Sequence, residues 1–305
     1  MDDATDYGET RRELISQVRS IELTTKVLVQ GLMSGLHGSP FLGQGVEFAE
    51  IREYVPGDDI RTIDWKVTAR YNRPFVREYT EDRDQTFYFV VDISGSGSFG
   101  METTKRKKML EVTASLAFAA LRNNDRIGLC LVSDRVEKFI PAKRGRKHLI
   151  SVINVLITHR ARSMKTNIAS AAKFLSTVLR RRSSIVVISD FVTPDPAKAI
   201  RILQQRHEII AIRITDPRER ALPDIRYIEL EDPETGEQIL VDTSDAEFRN
   251  AYTRIVRDEE NRLSTSFRKS GIDEVRLMTS ELYHVPLKQF FSARTRRRFV
   301  DGRIL

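Results

Sequence analysis

Asp92, Ser94 and Ser96 alternate where the apolar run Thr86–Val91 breaks into a loop. They supply three oxygen side chains at one point on the carboxyl edge of a buried strand. Open α/β sheets bind ligands at that edge. Small hydroxyls with one carboxylate suit a hard cation such as Mg²⁺, which takes oxygen ligands and keeps part of its hydration shell. Two further oxygens fall on neighbouring loops. Thr166 stands just before a helical pattern, in Ser163-Met164-Lys165-Thr166-Asn167-Ile168, and Asp190 ends the run Ile185–Ser189. Singly, Thr166 reads as a helix N-cap, which satisfies orphan amides, and Asp190 as a strand-end carboxylate. In order with Asp92, Ser94 and Ser96, they read together as a metal constellation.

The same loop spells Gly95-Ser96-Gly97-Ser98-Phe99-Gly100, the pattern of a dinucleotide-binding turn. That fingerprint needs an acidic residue about 20 positions further on, ending the second strand. Here the second strand ends near Asp134, well beyond that spacing, and the next helix opens with Lys105, Arg106, Lys107 and Lys108. The enzymatic alternative is a metal-dependent phosphatase or phosphotransferase with Asp92 as nucleophile. Such sites place a second carboxylate two residues after the first for acid–base work, and Ser94 holds that position. No Ser-His-Asp order and no P-loop is present. His37, His148, His159, His207 and His284 are scattered, with no pair at zinc spacing. The expectation is therefore a protein that is not an enzyme.

The elements that must position these groups follow from periodicity. Phe87–Val91, Ile127–Val132, Ile185–Ser189, Ile209–Ile214 and Val275–Met278 are short and apolar on both faces, as buried parallel strands are. Helical stripes lie between them: Met109, Leu116, Ala117 and Ala120; Leu149, Val152, Ile153 and Leu156; Ile168, Ala171, Ala172, Leu175 and Leu179. Val136–Ile140 reads as an antiparallel partner. Tyr227–Glu231 and Gln238–Val241 read as a hairpin, and Ala246–Lys269 as a long helix stopped near Gly271. The alternation predicts an α/β fold with a doubly wound, mostly parallel sheet flanked by helices.

Residues 1–85 differ. Arg11–Gln30 predicts a helix and Gly31–Gly45 a glycine-rich loop. A dense polar turn follows, Pro56-Gly57-Asp58-Asp59-Ile60-Arg61-Thr62-Ile63-Asp64-Trp65, with Trp65 expected to anchor it on the core. The organisation predicted is an amino-terminal extension (1–85), an α/β domain (86–285) and a basic carboxyl-terminal helix or tail (286–305).

At 305 residues and 40% apolar content, the chain can bury a sizeable core. No run approaches the ~20 apolar residues of a membrane span, and the acidic start Met1-Asp2-Asp3 is not a signal peptide. The lone Cys130 sits in an apolar run and fits a reducing, cytoplasmic setting. The net charge of +7 keeps a basic nucleic-acid-binding protein as a further alternative, disfavoured because aromatic-interleaved and zinc-finger motifs are missing.

Asp92, Ser94 and Ser96, then Thr166, then Asp190 match the metal-site motif of the von Willebrand factor A domain family, which the chain resembles from about Thr86 to Met278. Met164 and Lys165 stand where that family often has glycines. The resemblance implies a metal-ion-dependent adhesion site (MIDAS) holding Mg²⁺, with Mn²⁺ or Ca²⁺ as alternatives. A partner's Asp or Glu then completes the metal shell. Gly45-Val46-Glu47-Phe48, Arg52-Glu53-Tyr54, Pro56–Trp65, Thr68-Ala69-Arg70 and Val76-Arg77-Glu78-Tyr79 resemble the DUF58 family. Together the resemblance covers about Leu23 to Phe291. It implies a non-catalytic interaction protein working with a MoxR-type AAA+ ATPase, or its substrate, in assembling or activating other proteins. Lys165 and the Lys105–Lys108 run are expected to steer an acidic surface toward the metal.

Overall fold

The computed structural model describes residues 46–301, apart from 57, 59, 82–84, 96–103 and 233–234. The expected helix Arg11–Gln30, the glycine-rich loop before Val46 and Ser96 lie outside the described residues. The chain divides into two compact units with the boundary between residues 84 and 85.

In the first unit, β1 (Val46–Glu53) pairs antiparallel with β2 (Phe75–Glu81). The polar turn between them ends in a short helix, α1 (Trp65–Tyr71). Asp64 caps α1, its carboxylate accepting from the amides of Lys66 and Val67 at 2.9 and 3.2 Å. This satisfies two of the orphan donors that every helix start carries. Asp58 closes the turn, with both oxygens on the Arg52 guanidinium at 2.7 and 2.8 Å. Hydrogen bonding to Arg52 and to the Val55 amide holds Asp58 down at about 2. Asp58 and Asp64 thus brace the turn from within, but Trp65 does not anchor it. The indole is 70% exposed. Asp64 takes the buried place at the helix start, and the next residue along is turned outward.

The second unit is built on a six-stranded sheet. Its strands are β3 (Thr86–Asp92), β4 (Arg126–Val132), β5 (Val136–Lys143), β6 (Ser184–Ser189), β7 (Glu208–Thr215) and β10 (Asp273–Met278), in the order β10-β7-β6-β3-β4-β5. All neighbours are parallel except β5, which returns antiparallel to β4. The connecting helices are α2 (Lys105–Arg122), α3 (Arg146–Thr158), α4 (Ile168–Val178) and α5 (Pro196–Gln204), followed by the single turn α6 (Pro217–Arg220). A separate ribbon, β8 (Tyr227–Glu231) with β9 (Gln238–Asp242), precedes α7 (Ala246–Lys269). The last helix is α8 (His284–Asp301).

Both faces of the sheet are covered. Phe87, Phe89 and Val91 point to one side, into a core with Leu116 of α2, Val152 of α3 and Phe291 of α8. Tyr88 and Val90 point to the other, against Ala172 of α4, Ile200 of α5 and Phe267 of α7. Alternate residues of one strand bury in opposite directions, which is why these strands read as unbroken apolar runs. The fold is the doubly wound α/β sheet expected, with the strands at the predicted positions. Cys130 is buried in the second core, and burial pushes its thiol up to about 12. No helix of the described residues is long and apolar enough to cross a membrane.

Candidate metal centre

β3 and β6 are adjacent and parallel, with Val91 beside Ile188. Asp92 and Asp190 therefore leave the sheet at the same edge. Asp92 is buried, and each of its oxygens accepts a hydrogen bond. Its Oδ1 accepts the Ser94 amide at 3.0 Å and its Oδ2 the Ser189 hydroxyl at 2.6 Å. The first bond is the local turn that a strand-end aspartate makes with the residue two positions on.

Thr166 arrives from the other side. The segment before α4 is tied to the β3 loop by the Gly95 amide on the Met164 carbonyl (2.9 Å), and to the end of β4 by the Asn167 amide on the Ser133 carbonyl (2.8 Å). In consequence the Thr166 hydroxyl donates to the Ser94 hydroxyl at 2.8 Å. The cap of α4 is Asn167, whose side chain accepts the Ser170 amide at 3.1 Å. This corrects the simpler reading of Thr166 as the cap: with Asn167 in that place, the threonine hydroxyl is turned to Ser94.

Asp190 is held differently. Its Oδ2 lies 2.6 Å from Lys105 Nζ, and both side chains are about 1% exposed. Lys105 also reaches Glu219 Oε1 at 2.6 Å. Desolvation of the ammonium is outweighed by Asp190 and Glu219, so its proton is held more tightly than usual. Glu219 in turn closes a capping box with Asp216 at the start of α6, and Asp216 accepts the Thr279 hydroxyl at 2.5 Å. Lys108 is also buried, donating to the Glu281 carbonyl at 2.9 Å. The expectation that Lys105–Lys108 steer a partner from the surface is thus overturned for Lys105 and Lys108. The buried Asp190, the half-buried Glu219 and a backbone carbonyl recruit them inward, since a buried charge needs a partner.

A second clasp braces the Thr166 segment. Glu137 of β5, whose side chain is shut off from solvent, accepts from the Ser133 hydroxyl (2.6 Å), the Arg162 amide (2.8 Å) and His159 Nε2 (2.8 Å). Burial raises this carboxyl's affinity for a proton, but the three donors overcome it and hold Glu137 below the usual range.

These residues suit a divalent cation in one specific respect. Burial, with the nearby charge of Asp190, raises the Asp92 carboxyl to about 6 against the hydrogen bonds from Ser189 and Ser94. A positive ion beside it would relieve that cost. Ser94 and Thr166 present hydroxyl oxygens at the same place. Among the described residues no group of three acidic, histidine or cysteine side chains is placed to hold a metal ion, so a cation here would rely on hydroxyls. Asp92, Ser94 and Thr166 meet, Asp190 is committed to Lys105, and Ser96 lies outside the described residues.

Ser189, Lys105 and Glu219 were not anticipated from sequence. Parallel register continued by one residue puts Ser189 beside Asp92, so Ser189 had a readable signal. Lys105 had none, because its partners lie 85 and 114 positions away. Phe191 adds a strained backbone next to Asp190, with φ of 60°. For a bulky residue this left-handed conformation is costly. Its ring is pinned edge-on against Phe267, with centroids 5.1 Å apart.

Relatives with the same chain plan are known. An uncharacterized protein of Mycobacterium tuberculosis is 30% identical over 288 residues, covering 93% of this chain and 90% of its own length. Among solved structures, the conserved hypothetical protein BatB of Bacteroides thetaiotaomicron is 16% identical, with a TM-score of 0.46 over 70% of this chain and 99% of its own. An aerotolerance-related membrane protein of Bacteroides fragilis is 14% identical, with a TM-score of 0.47 over 68% of this chain and 99% of its own. A family model, the protein of unknown function DUF58, matches residues 50–262. That match runs from within β1 into α7 and takes in the polar turn, Asp92, Ser94, Thr166 and Asp190, so the chain belongs to the DUF58 family.

Proposed function

We propose that this protein is a non-catalytic, metal-dependent protein-interaction module. The observation that carries the reading is the 2.8 Å meeting of the Ser94 and Thr166 hydroxyls, brought from two loops to the strand end where Asp92 lies. Mg²⁺ is the cation best matched to such a set, with Mn²⁺ or Ca²⁺ as alternatives. Ser94, Ser96 and Thr166 would hold it directly, with the charges of Asp92 and Asp190 behind them. When bound, the ion supplies a positive centre that takes an oxygen ligand from outside. Hydroxyl donors leave most of its charge uncancelled, so the favoured external ligand is a carboxylate.

The geometry supports binding better than hydrolysis. Both Asp92 oxygens already accept hydrogen bonds, which makes a poor nucleophile. Ser133, Glu137 and His159 lie close together, but the Ser133 hydroxyl donates to Glu137 rather than to the imidazole. That is not a nucleophile–base pair.

The partner we propose is an acidic surface on a MoxR-type AAA+ ATPase or its substrate, supplying one Asp or Glu. The test is binding of the purified protein to such an ATPase in Mg²⁺ and in EDTA, alongside Asp92→Ala. Loss of binding in EDTA and in the variant is expected. Alanine in place of the partner's carboxylate should match Mg²⁺ removal, and the two losses should not add. Binding unchanged by EDTA and by Asp92→Ala would overturn the reading.

A further inference from the structure

The β8–β9 ribbon is joined to neither of the other sheets. A two-stranded ribbon alone is marginal in water, and this one is anchored mainly at its base. There the Thr243 hydroxyl donates to the Arg226 carbonyl at 2.9 Å, and Arg249 pairs with Asp224 at 3.2 Å. Above the base the ribbon turns apolar groups to solvent. Tyr227 is 63% exposed and Leu240 72%. The register sets Tyr227 opposite Asp242 and Glu229 opposite Leu240. Cross-strand partners share a face, and diagonal neighbours lie within reach of large side chains. One face of the ribbon is therefore an apolar pair, Tyr227 and Leu240, framed by two carboxylates, Glu229 and Asp242.

The charge of this segment runs against that of the chain. From Asp224 to Asp245 there are eight acidic residues and one arginine, in a protein of net charge +7. Glu229, Glu231 and Glu237 form no ion pair among the described residues. Such a face fits a basic surface that offers apolar side chains.

The chain carries that complement itself. On α1, a helical turn of 100° per residue puts Trp65, Ala69, Lys66 and Arg70 in one arc, and all four are exposed. Lys66 and Arg70 form no ion pair among the described residues. From Ile60 to Pro74 there are four cations and one acid, and that acid, Asp64, is buried as the cap of α1. This face is an aromatic and a small apolar group beside two cations. It matches in kind the apolar pair and two carboxylates of the ribbon. Tryptophan with arginine is also the composition that anchors protein interfaces.

We infer that the occupant of the ribbon face is the α1 face of a second copy of this chain. Two different surfaces then meet, so the contact is head-to-tail and extends into rings or short filaments rather than stopping at a symmetric dimer. Its opposed charges make it sensitive to salt.

Sedimentation velocity on the full chain tests this at roughly 0.1 mM, where a contact of ~10 µM affinity would be largely occupied. The expected result is association that weakens as salt rises. Leu240→Arg and Trp65→Glu should each weaken it at least ~10-fold, as loss of a central interface residue does. Both positions are exposed, so melting curves should stay unchanged and confirm the fold. The decisive arm mixes the two variants. The Leu240→Arg copy keeps its α1 face and the Trp65→Glu copy keeps its ribbon. An equimolar mixture should form dimers that grow no further. A monomeric native protein at this concentration, association indifferent to both variants, or a mixture that stays monomeric would each overturn the inference.

Discussion

Lys105 Nζ lies 2.6 Å from Asp190 Oδ2, with both side chains about 1% exposed. An expected metal residue is thus neutralised by a cation of the protein's own. The pair gives Asp190, a buried carboxylate close to Asp92, a counter-charge of its own. It also links the candidate metal edge to α6, since the same ammonium reaches Glu219.

Removing the cation alone should be costly. Lys105→Met leaves Asp190 buried without its partner, and breaking a buried pair from one side costs about 3–5 kcal/mol. Urea unfolding should show a loss of this order. The double variant Lys105→Met with Asp190→Asn should recover part of it. A loss under ~1 kcal/mol, within the range of a surface pair, would mean that the pair is solvated in solution.

Asp92 should make the metal-free protein less stable as pH rises. Its carboxyl sits at about 6 in the folded protein, against about 3.9 for an aspartate in an unfolded chain. Between these values the native state holds a proton that the unfolded chain has released. Stability therefore falls as pH climbs through this window, and the cost is fully present above it. The shift corresponds to about 3 kcal/mol. In EDTA, Asp92→Asn should lack this fall and unfold at higher urea than the native protein at pH 7.5, with little difference at pH 4. Equal midpoints at pH 7.5 would show that Asp92 is not strained by its surroundings.

Mg²⁺ should raise the melting temperature of the native protein, because a ligand that binds only the folded state stabilises it. Thr166→Val keeps the shape but removes the hydroxyl that meets Ser94. It should leave the melting temperature in EDTA within a degree or two and abolish the rise on adding Mg²⁺. Ser94→Ala with Ser96→Ala should behave alike. A Mg²⁺ response unchanged in Thr166→Val would remove Thr166 from the site.

Glu137 should control the order of the Thr166 segment. Glu137→Ala removes the shared acceptor of the Arg162 amide, the Ser133 hydroxyl and His159, a net cost of about 0.5–1.5 kcal/mol for each hydrogen bond lost. Hydrogen exchange across residues 162–167 should accelerate, and Mg²⁺ affinity should fall with it. Glu137→Gln retains two acceptor lone pairs and should slow that exchange again. Unchanged exchange in Glu137→Ala would assign the bracing to the Ser133–Asn167 backbone bond alone.

The α/β sheet and the strand-end oxygens were legible in the sequence. Phe87–Val91 and Ile185–Ile188 are apolar at every position because both faces of their strands are covered, and that burial is written locally, residue by residue. The place of Asp92, Ser94 and Asp190 at one edge follows from strand ends and parallel order. The tertiary structure alone decided which charges are paired. Lys105 and Trp65 each begin a helix, and their types suggest a surface lysine and a buried indole. The reverse holds because Asp190 and Glu219, distant in sequence, converge on the ammonium, while Asp64 occupies the buried place at the start of α1. Periodicity reports which face of an element is buried. It carries no information on which remote group meets a charge there, and that pairing depends on how the elements pack.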